Sequence, residues 1–378
     1  MNLVYIITGL STGGAEMMLL KLLQNMDRNL FSPAVISLTT MGAVGPRIEA
    51  LGITVYALGM RPGLPSPIKF MRLTNLVRKL KPDVVHTWMY HADLLGGFAA
   101  RVAGIKVVVW GIRHSNLSRA YNKRATLLVV NICAHVSGWQ PKRVLTCSER
   151  SQSIHVEAGY CTEKMMLIPN GFDLSYFQPD RRARCSVRAE LGLVADTPLV
   201  GLIARYDPQK NHSGFIEAAA SVHKALPQVH FILAGTGVEK SNKDLTSHIL
   251  RAGLRECVHM LGRRDDIPRL MASLDLLASS SFGEAFPNVL GEAMACNVPC
   301  VVTDVGDSAE IVGDTGRVVA PGDMPSLARH LIDLLQLPKE ELGQQGIRAR
   351  QRICARYDIT DVTRRYEEFY LQLNNKGV

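Results

Sequence analysis

A chain of 378 residues, 47% hydrophobic and 20% charged, exceeds what one core ordinarily organises and is too apolar to stay disordered, so it reads as two globular domains with a cleft between them. Its eight cysteines include no CxxC pair, and Cys296 and Cys300, the closest two, have no histidine nearby to complete a zinc pattern; reduced thiols of a cytoplasmic protein are expected. The formal net charge of +9 sits in the first half, where residues 1–180 carry 19 Lys+Arg against 10 Asp+Glu while the remainder balances 24 against 24. Such a face is either solvated or draws anionic lipid surfaces and lipid-linked substrates; nucleic acid is not expected, since no zinc finger, helix-turn-helix or aromatic-interleaved basic motif accompanies the charge.

The opening MNLVYIITGL lacks the basic start, apolar core and cleavage site of a secretory signal and reads as a first strand. From there, short β-branched runs alternate with helical patterns: LVYIIT, a helix over Gly14–Asn25, PAVISL, ITVYAL, a helix over Ile68–Leu80, DVVHTW, a helix over Leu94–Ala103, KVVVWG, RVLTCS and MMLIPN. Strand and helix in turn imply right-handed βαβ units on a parallel sheet. The apolar stretches Val107–Ile112 and Ala125–Val136 are too short or interrupted to span a bilayer. After turn residues around Asn170–Asp173 the rhythm restarts with PLVGLIARY, HFILAG, CVHMLG, LDLLASS and CVVTDV. The fold class is therefore α/β, with Rossmann-like domains over 1–170 and 171–350 and a charged amphipathic helix over 351–378 that packs back on the first domain.

Three motifs carry candidate chemistry. TGLSTGGAE, Thr8–Glu16, follows the first strand and opens a helix, so Gly13 and Gly14 let backbone amides approach a phosphate or sugar; it matches neither GxGxxG nor a P-loop. GLIARYDPQKNH, Gly201–His212, sets Arg205 and Lys210 beyond a strand end, where two cations suit a diphosphate. FGEAFPNVLGEAMA, Phe282–Ala295, places Glu284 before a helix and Glu292 two turns inside it. Eight helical residues advance about 12 Å, so the two carboxylates address different parts of one extended ligand while the amides near Pro287, Asn288 and Val289 face a phosphate.

In this order, with GTG at Gly235–Gly237 and LGRRDD at Leu261–Asp266 between them, the motifs resemble the group 1, or family four, retaining glycosyltransferases of GT-B fold, most strongly over Ile168–Asp323. The resemblance implies two Rossmann-like domains with parallel sheets facing a central cleft, the first receiving the acceptor and the second the nucleotide sugar. It implies that Glu284 and Glu292 hold the donor sugar and ribose, that Arg205 and Lys210 stabilise the departing diphosphate, that Gly13 and Gly14 close over the phosphates, and that the backbone at Arg263 reads the base. A histidine at a strand end contacts the donor sugar in this family; His114 fits, with His86 and His91 competing. Metal and cofactor are expected to be absent, as no Asp-x-Asp occurs. The expected partners are a nucleotide sugar, UDP favoured, a glycan or polyprenyl-linked glycan acceptor in surface polysaccharide synthesis, and the inner membrane face. A sugar-nucleotide epimerase and a non-catalytic sugar-nucleotide or anionic-lipid binder share this pattern.

Overall fold

Runs of Val, Ile and Leu long enough for a strand and apolar at every position have to be covered on both faces, and that is how they are used. The computed structural model describes residues 1–61, 66–119 and 122–375. Seven parallel strands come first: β1 (Asn2–Ile7), β2 (Ser32–Ser37), β3 (Val55–Ala57), β4 (Val84–Trp88), β5 (Val107–Ile112), β6 (Arg143–Thr146) and β7 (Met165–Leu167), ordered 3-2-1-4-5-6-7. Every residue of β4 and all but the first of β1 are buried, as a doubly covered parallel sheet requires. Helices α1 (Gly14–Asn25), α2 (Gly45–Glu49), α3 (Pro67–Leu80), α4 (Tyr90–Val102), α5 (Arg124–Val136) and α6 (Glu149–Glu157) connect them.

Six further parallel strands repeat the plan: β8 (Leu199–Ile203), β9 (His230–Ala234), β10 (Val258–Met260), β11 (Leu276–Ser279), β12 (Cys300–Thr303) and β13 (Arg317–Val319), ordered 10-9-8-11-12-13. Their helices are α7 (Arg181–Glu190), α8 (His212–Ala225), α9 (Lys243–Arg251), α10 (Ile267–Ser273), α11 (Asn288–Ala295), α12 (Ser308–Val312), α13 (Met324–Leu335) and α14 (Lys339–Tyr357); α15 (Ile359–Asn375) ends the described chain. Polar caps begin several of them: Asp180, Asn242 and Asp323 each accept a backbone N–H from the first turn.

The chain divides into two units, Met1–Gly171 with Ile359–Val378, and Phe172–Asp358. The division corrects the expected helix over 351–378. Residues up to Tyr357 belong to α14 and the second unit, and the returning segment starts at Ile359. The break has a local cause: Asp358 is extended (φ −58°, ψ 130°) and pairs as a parallel bridge with Phe172, whose N–H donates to the Tyr357 carbonyl at 2.8 Å. Residues 376–378 of that expected helix lie outside the described residues.

In the first unit α15 completes the core. Val362, Tyr366 and Tyr370 are fully buried, in one cluster with Tyr5, Ile7 and Trp88 of the sheet. The Tyr5 hydroxyl donates to Tyr370 at 3.1 Å, which leaves the Tyr370 proton for His86 Nδ1 at 2.7 Å.

Candidate functional site

Both sheets reverse strand order beside their first strand, between β1 and β4 and between β8 and β11. Loops leaving the carboxyl ends of such neighbours run off to opposite sides and open room for a ligand. In the second unit this brings together two side chains 74 residues apart: Lys210, at the end of the turn after β8, and Glu284, in the loop after β11, form a mostly buried ion pair. Ser281 Oγ donates to the same Glu284 Oε1 at 2.9 Å.

The two loops are held by backbone bonds. Asp207 caps the Pro208–Lys210 turn by accepting the Gln209 N–H at 2.9 Å, and Asn211, at φ 50°, reverses the chain into α8, a left-handed position that asparagine tolerates. Ser280 Oγ lies 3.0 Å from both the Lys210 and Asn211 carbonyls, and the Phe282 N–H donates to Gln209 at 2.7 Å. The loop after β12 presses against Glu284: Gly306, at φ 56°, has room for no Cβ, which would stand 2.4 Å from the Glu284 carbonyl oxygen.

The other expected donor residues of this unit lie on its loops and on α11. Arg205, 64% exposed, keeps its Nε 3.1 Å from Asp207 Oδ2 and leaves most of its fork in solvent. Pro287 is the N-cap of α11 and makes no side-chain cap bond, its carbonyl accepting the Leu290 N–H at 3.1 Å, so Asn288 and Val289 form the first residues of the helix after the Glu284 loop. Glu292 lies half-buried within α11, and after burial its charge is a further cause of the Cys296 thiol being pushed up to about 12. The Arg263 side chain is exposed, 3.7 Å from Asp265, whereas its neighbour Arg264 is tied to Asp266 and Glu190 at 2.8 and 2.9 Å.

In the first unit, Gly13 is the N-cap of α1 and Gly14 its first residue. Gly13 is extended at φ −153°, a conformation open to any residue; what a Cβ would meet is the flexible end of Glu16, 2.5 Å away. His114 follows β5, half-buried, and accepts the Asn116 N–H at Nδ1 (3.0 Å), so its proton sits on Nε2; Ser151 Oγ donates to its carbonyl at 2.8 Å. Of the competitors, His86 is a core residue on β4, which burial and then the charge of Arg113 hold neutral, and His91 is half-buried in the first turn of α4, its pKa lowered by burial.

Sequence reasoning did not anticipate Ser281, Asp207 or Gly306. Asp-Pro ahead of a turn was a readable cap signal for Asp207. Ser281 and Gly306 carry no local signal, because their roles arise from strands adjacent only in the folded sheet.

Comparison with known proteins agrees with this fold. Family models described as Glycosyltransferase Family 4 and as Glycosyl transferases group 1 match residues 12–176 and 197–337. The chain is 25% identical over 306 residues (80% of this chain, 78% of the relative) to the UDP-Gal:alpha-D-GlcNAc-diphosphoundecaprenol alpha-1,3-galactosyltransferase of Escherichia coli. It is 26% identical over 294 residues (75% and 78%) to the lipopolysaccharide core biosynthesis mannosyltransferase LpsB of Rhizobium meliloti. The crystal structure of Anabaena Alr3699/HepE in complex with UDP and glucose superimposes with a TM-score of 0.86 at 26% identity, over 98% of this chain and all of that one. With one family model on each half and a GT-B neighbour over nearly the whole length, the chain belongs to the group 1, family four glycosyltransferases and is an enzyme of that class.

Proposed function

We propose that this glycosyltransferase moves a hexose or N-acetylhexosamine, with retention at the anomeric carbon, from a UDP-sugar to a lipid-linked glycan at the cytoplasmic face of the membrane, in surface polysaccharide synthesis. The observation that carries the reading is the Lys210–Glu284 pair at the β8/β11 switch point, in the loop that leads into α11. The relative named for a UDP-Gal and diphosphoundecaprenol reaction and the UDP complex of the structural neighbour support the donor and acceptor classes.

In this mechanism the bond from anomeric carbon to diphosphate breaks with its electron pair going to the diphosphate. The acceptor hydroxyl bonds to the same face of the sugar, and its proton passes to a diphosphate oxygen. Lys210, Arg205 and the α11 amides bind the charge that builds on the leaving group, a gain larger in the transition state than before it. Glu284 exchanges its lysine for sugar hydroxyls, Glu292 takes the ribose, the Arg263 backbone takes the base, and Gly13, Gly14 and His114 serve the phosphates and sugar. Two cations and a helix start do the work of a divalent ion, so EDTA leaves turnover intact. Calorimetric titration with UDP, GDP and their sugar conjugates in EDTA tests the proposal: micromolar binding of a UDP species, lost in Lys210→Ala, is expected. Binding of none, or an absolute need for metal, would overturn it.

A further inference from the structure

Between Asp93 and Glu149 the sequence holds eight lysines and arginines and no carboxylate. Asp93 itself, in the first turn of α4, is buried and contributes nothing to the surface. Helix α5 lies inside this window and turns an apolar stripe outward. Arg124, Leu128 and Ile132 follow one another at four-residue spacing, which stacks them on one face, and Leu128 is 61% and Ile132 40% exposed. Just beyond the helix Trp139 is 61% exposed, its ring packed edge-on against Phe98 of α4 at 5.8 Å. A large aromatic held rigidly from behind and bare in front is costly in water and is the residue type favoured where apolar and polar phases meet.

Cations crowd around that ring. Arg101 donates through Nε and Nη2 to the Gln140 carbonyl at 3.0 and 2.6 Å, and Lys164 donates to the Pro141 carbonyl at 2.7 Å, so both brace the backbone next to Trp139. Burial first, and then the charges of Arg101, Arg143 and Lys142, hold the Lys164 ammonium below the ordinary lysine range, a sign that these cations feel one another. On the following segments the carboxylates are Glu149, Glu157 and Glu163, and the Cys161 thiol donates to Glu163 at 3.1 Å. No helix among the described residues is long and apolar enough to cross a membrane.

We propose that the outer face of α5, with Leu128, Ile132 and Trp139 as apolar anchors inside the cationic window, docks in the interfacial layer of an anionic lipid bilayer. The proposal rests on the lipid-linked acceptor reading above and adds a salt-resistant component to it: the cations draw the face to acidic headgroups, and the three side chains then enter the acyl boundary. Charge complementarity selects this occupant, since a second copy of the chain would bring like charges together on the same face.

The protein supplies its own reporter. Of its three tryptophans, Trp88 and Trp110 are fully buried, so a change in emission on adding vesicles belongs to Trp139. Vesicles of phosphatidylcholine with phosphatidylglycerol should shift the emission to shorter wavelength, and brominated acyl chains should quench it; phosphatidylcholine alone should do neither. Leu128→Glu and Ile132→Glu should each weaken vesicle affinity about tenfold or more, from the apolar burial forfeited, while leaving transfer to a water-soluble acceptor analogue unchanged. Failure to quench, binding fully reversed by salt, unchanged affinity in both variants, or a shift that follows protein concentration without lipid would each overturn the docking face. Vesicle binding as described with no transfer from any UDP-sugar would leave the face standing and defeat the functional proposal instead.

Discussion

The two units share one plan, a parallel sheet whose order reverses beside its first strand, yet they satisfy their charges differently. The second unit has 21 Lys+Arg and 23 Asp+Glu and spends them on each other. Arg184 and Arg188 share Asp275, Arg264 and Arg269 share Asp266 and Glu190, and Lys210 meets Glu284. The first unit has 22 against 11, and its interior relies on neutral groups: Tyr5, Tyr370 and His86 in a chain, Tyr90 with His155, and Thr87 with Asp93. Its buried guanidinium, Arg113, lies 3.8 Å over the Trp88 ring and bonds to Asn170 and Tyr366. The lesson is that one topology can use charge internally, to fix loops, or carry it in excess.

The heaviest blow to that contrast falls on Arg188, 1% exposed, which bonds to Asp275 and to the Thr197 and Ser273 carbonyls. Arg188→Ala should cost about 3–5 kcal/mol by leaving the buried Thr197 and Ser273 carbonyls without their donor, while Asp275 keeps Arg184 and the Leu199 N–H, with hydrogen exchange accelerated in the second unit alone; acceleration spread over both units would break the comparison. Next, Lys210→Ala should lower kcat/KM about 10²- to 10³-fold with hydrogen exchange of the fold unchanged, and a turnover near wild type would remove the pair from the chemistry.

A third test uses acid. Burial, which wins against the hydrogen bond to Ser151, pushes His155 down to about 4 from an ordinary value near 6.5. Its folded state therefore favours the neutral ring, the unfolded chain binds more protons between those values, and stability is complete above about 6.5 and falls as pH drops toward 4. The loss for this one group is on the order of 3 kcal/mol. His155→Gln should flatten that slope in the first unit and spare it in the second, where His212 and His259 are also pushed down to about 4. An unchanged slope in the first unit would show that His155 titrates as an ordinary surface ring. Smallest of all, Arg263→Ala should leave UDP affinity within about twofold, since an exposed side chain away from packed features contributes little; a tenfold loss in titration would mean that the side chain, not the backbone, reads the base.

Much of this was legible in one dimension. Twelve of the strands fall on the short apolar runs quoted above, and Gly14–Asn25 is helical at both ends as its pattern indicates. β13 was not legible: Arg317–Val319 opens on a charged residue and lies between Gly316 and Pro321, so no apolar run marks it as a strand. The helix break at Asp358 was not either, because α14 and α15 are both amphipathic and the break coincides with a bridge to Phe172, distant in sequence. At the site, residue types and spacing marked Glu284 and Lys210 separately. Their pairing needed the adjacency of β8 and β11, which no local pattern carries. Likewise the apolar stretch over Ala125–Val136 excluded a membrane span, but which of its residues face out required the packing of α4 against α5.

The placement of α15 has a consequence for how the protein is made. Because Val362, Tyr366 and Tyr370 fill the core of a unit whose other residues end at Gly171, the first unit lacks part of its interior until the α15 segment has been synthesised. The second unit, contiguous from Phe172 to Asp358, has all of its residues earlier. Vectorial synthesis ordinarily lets the amino-terminal domain finish first; here every residue of the second unit leaves the ribosome before those that fill the first unit's core.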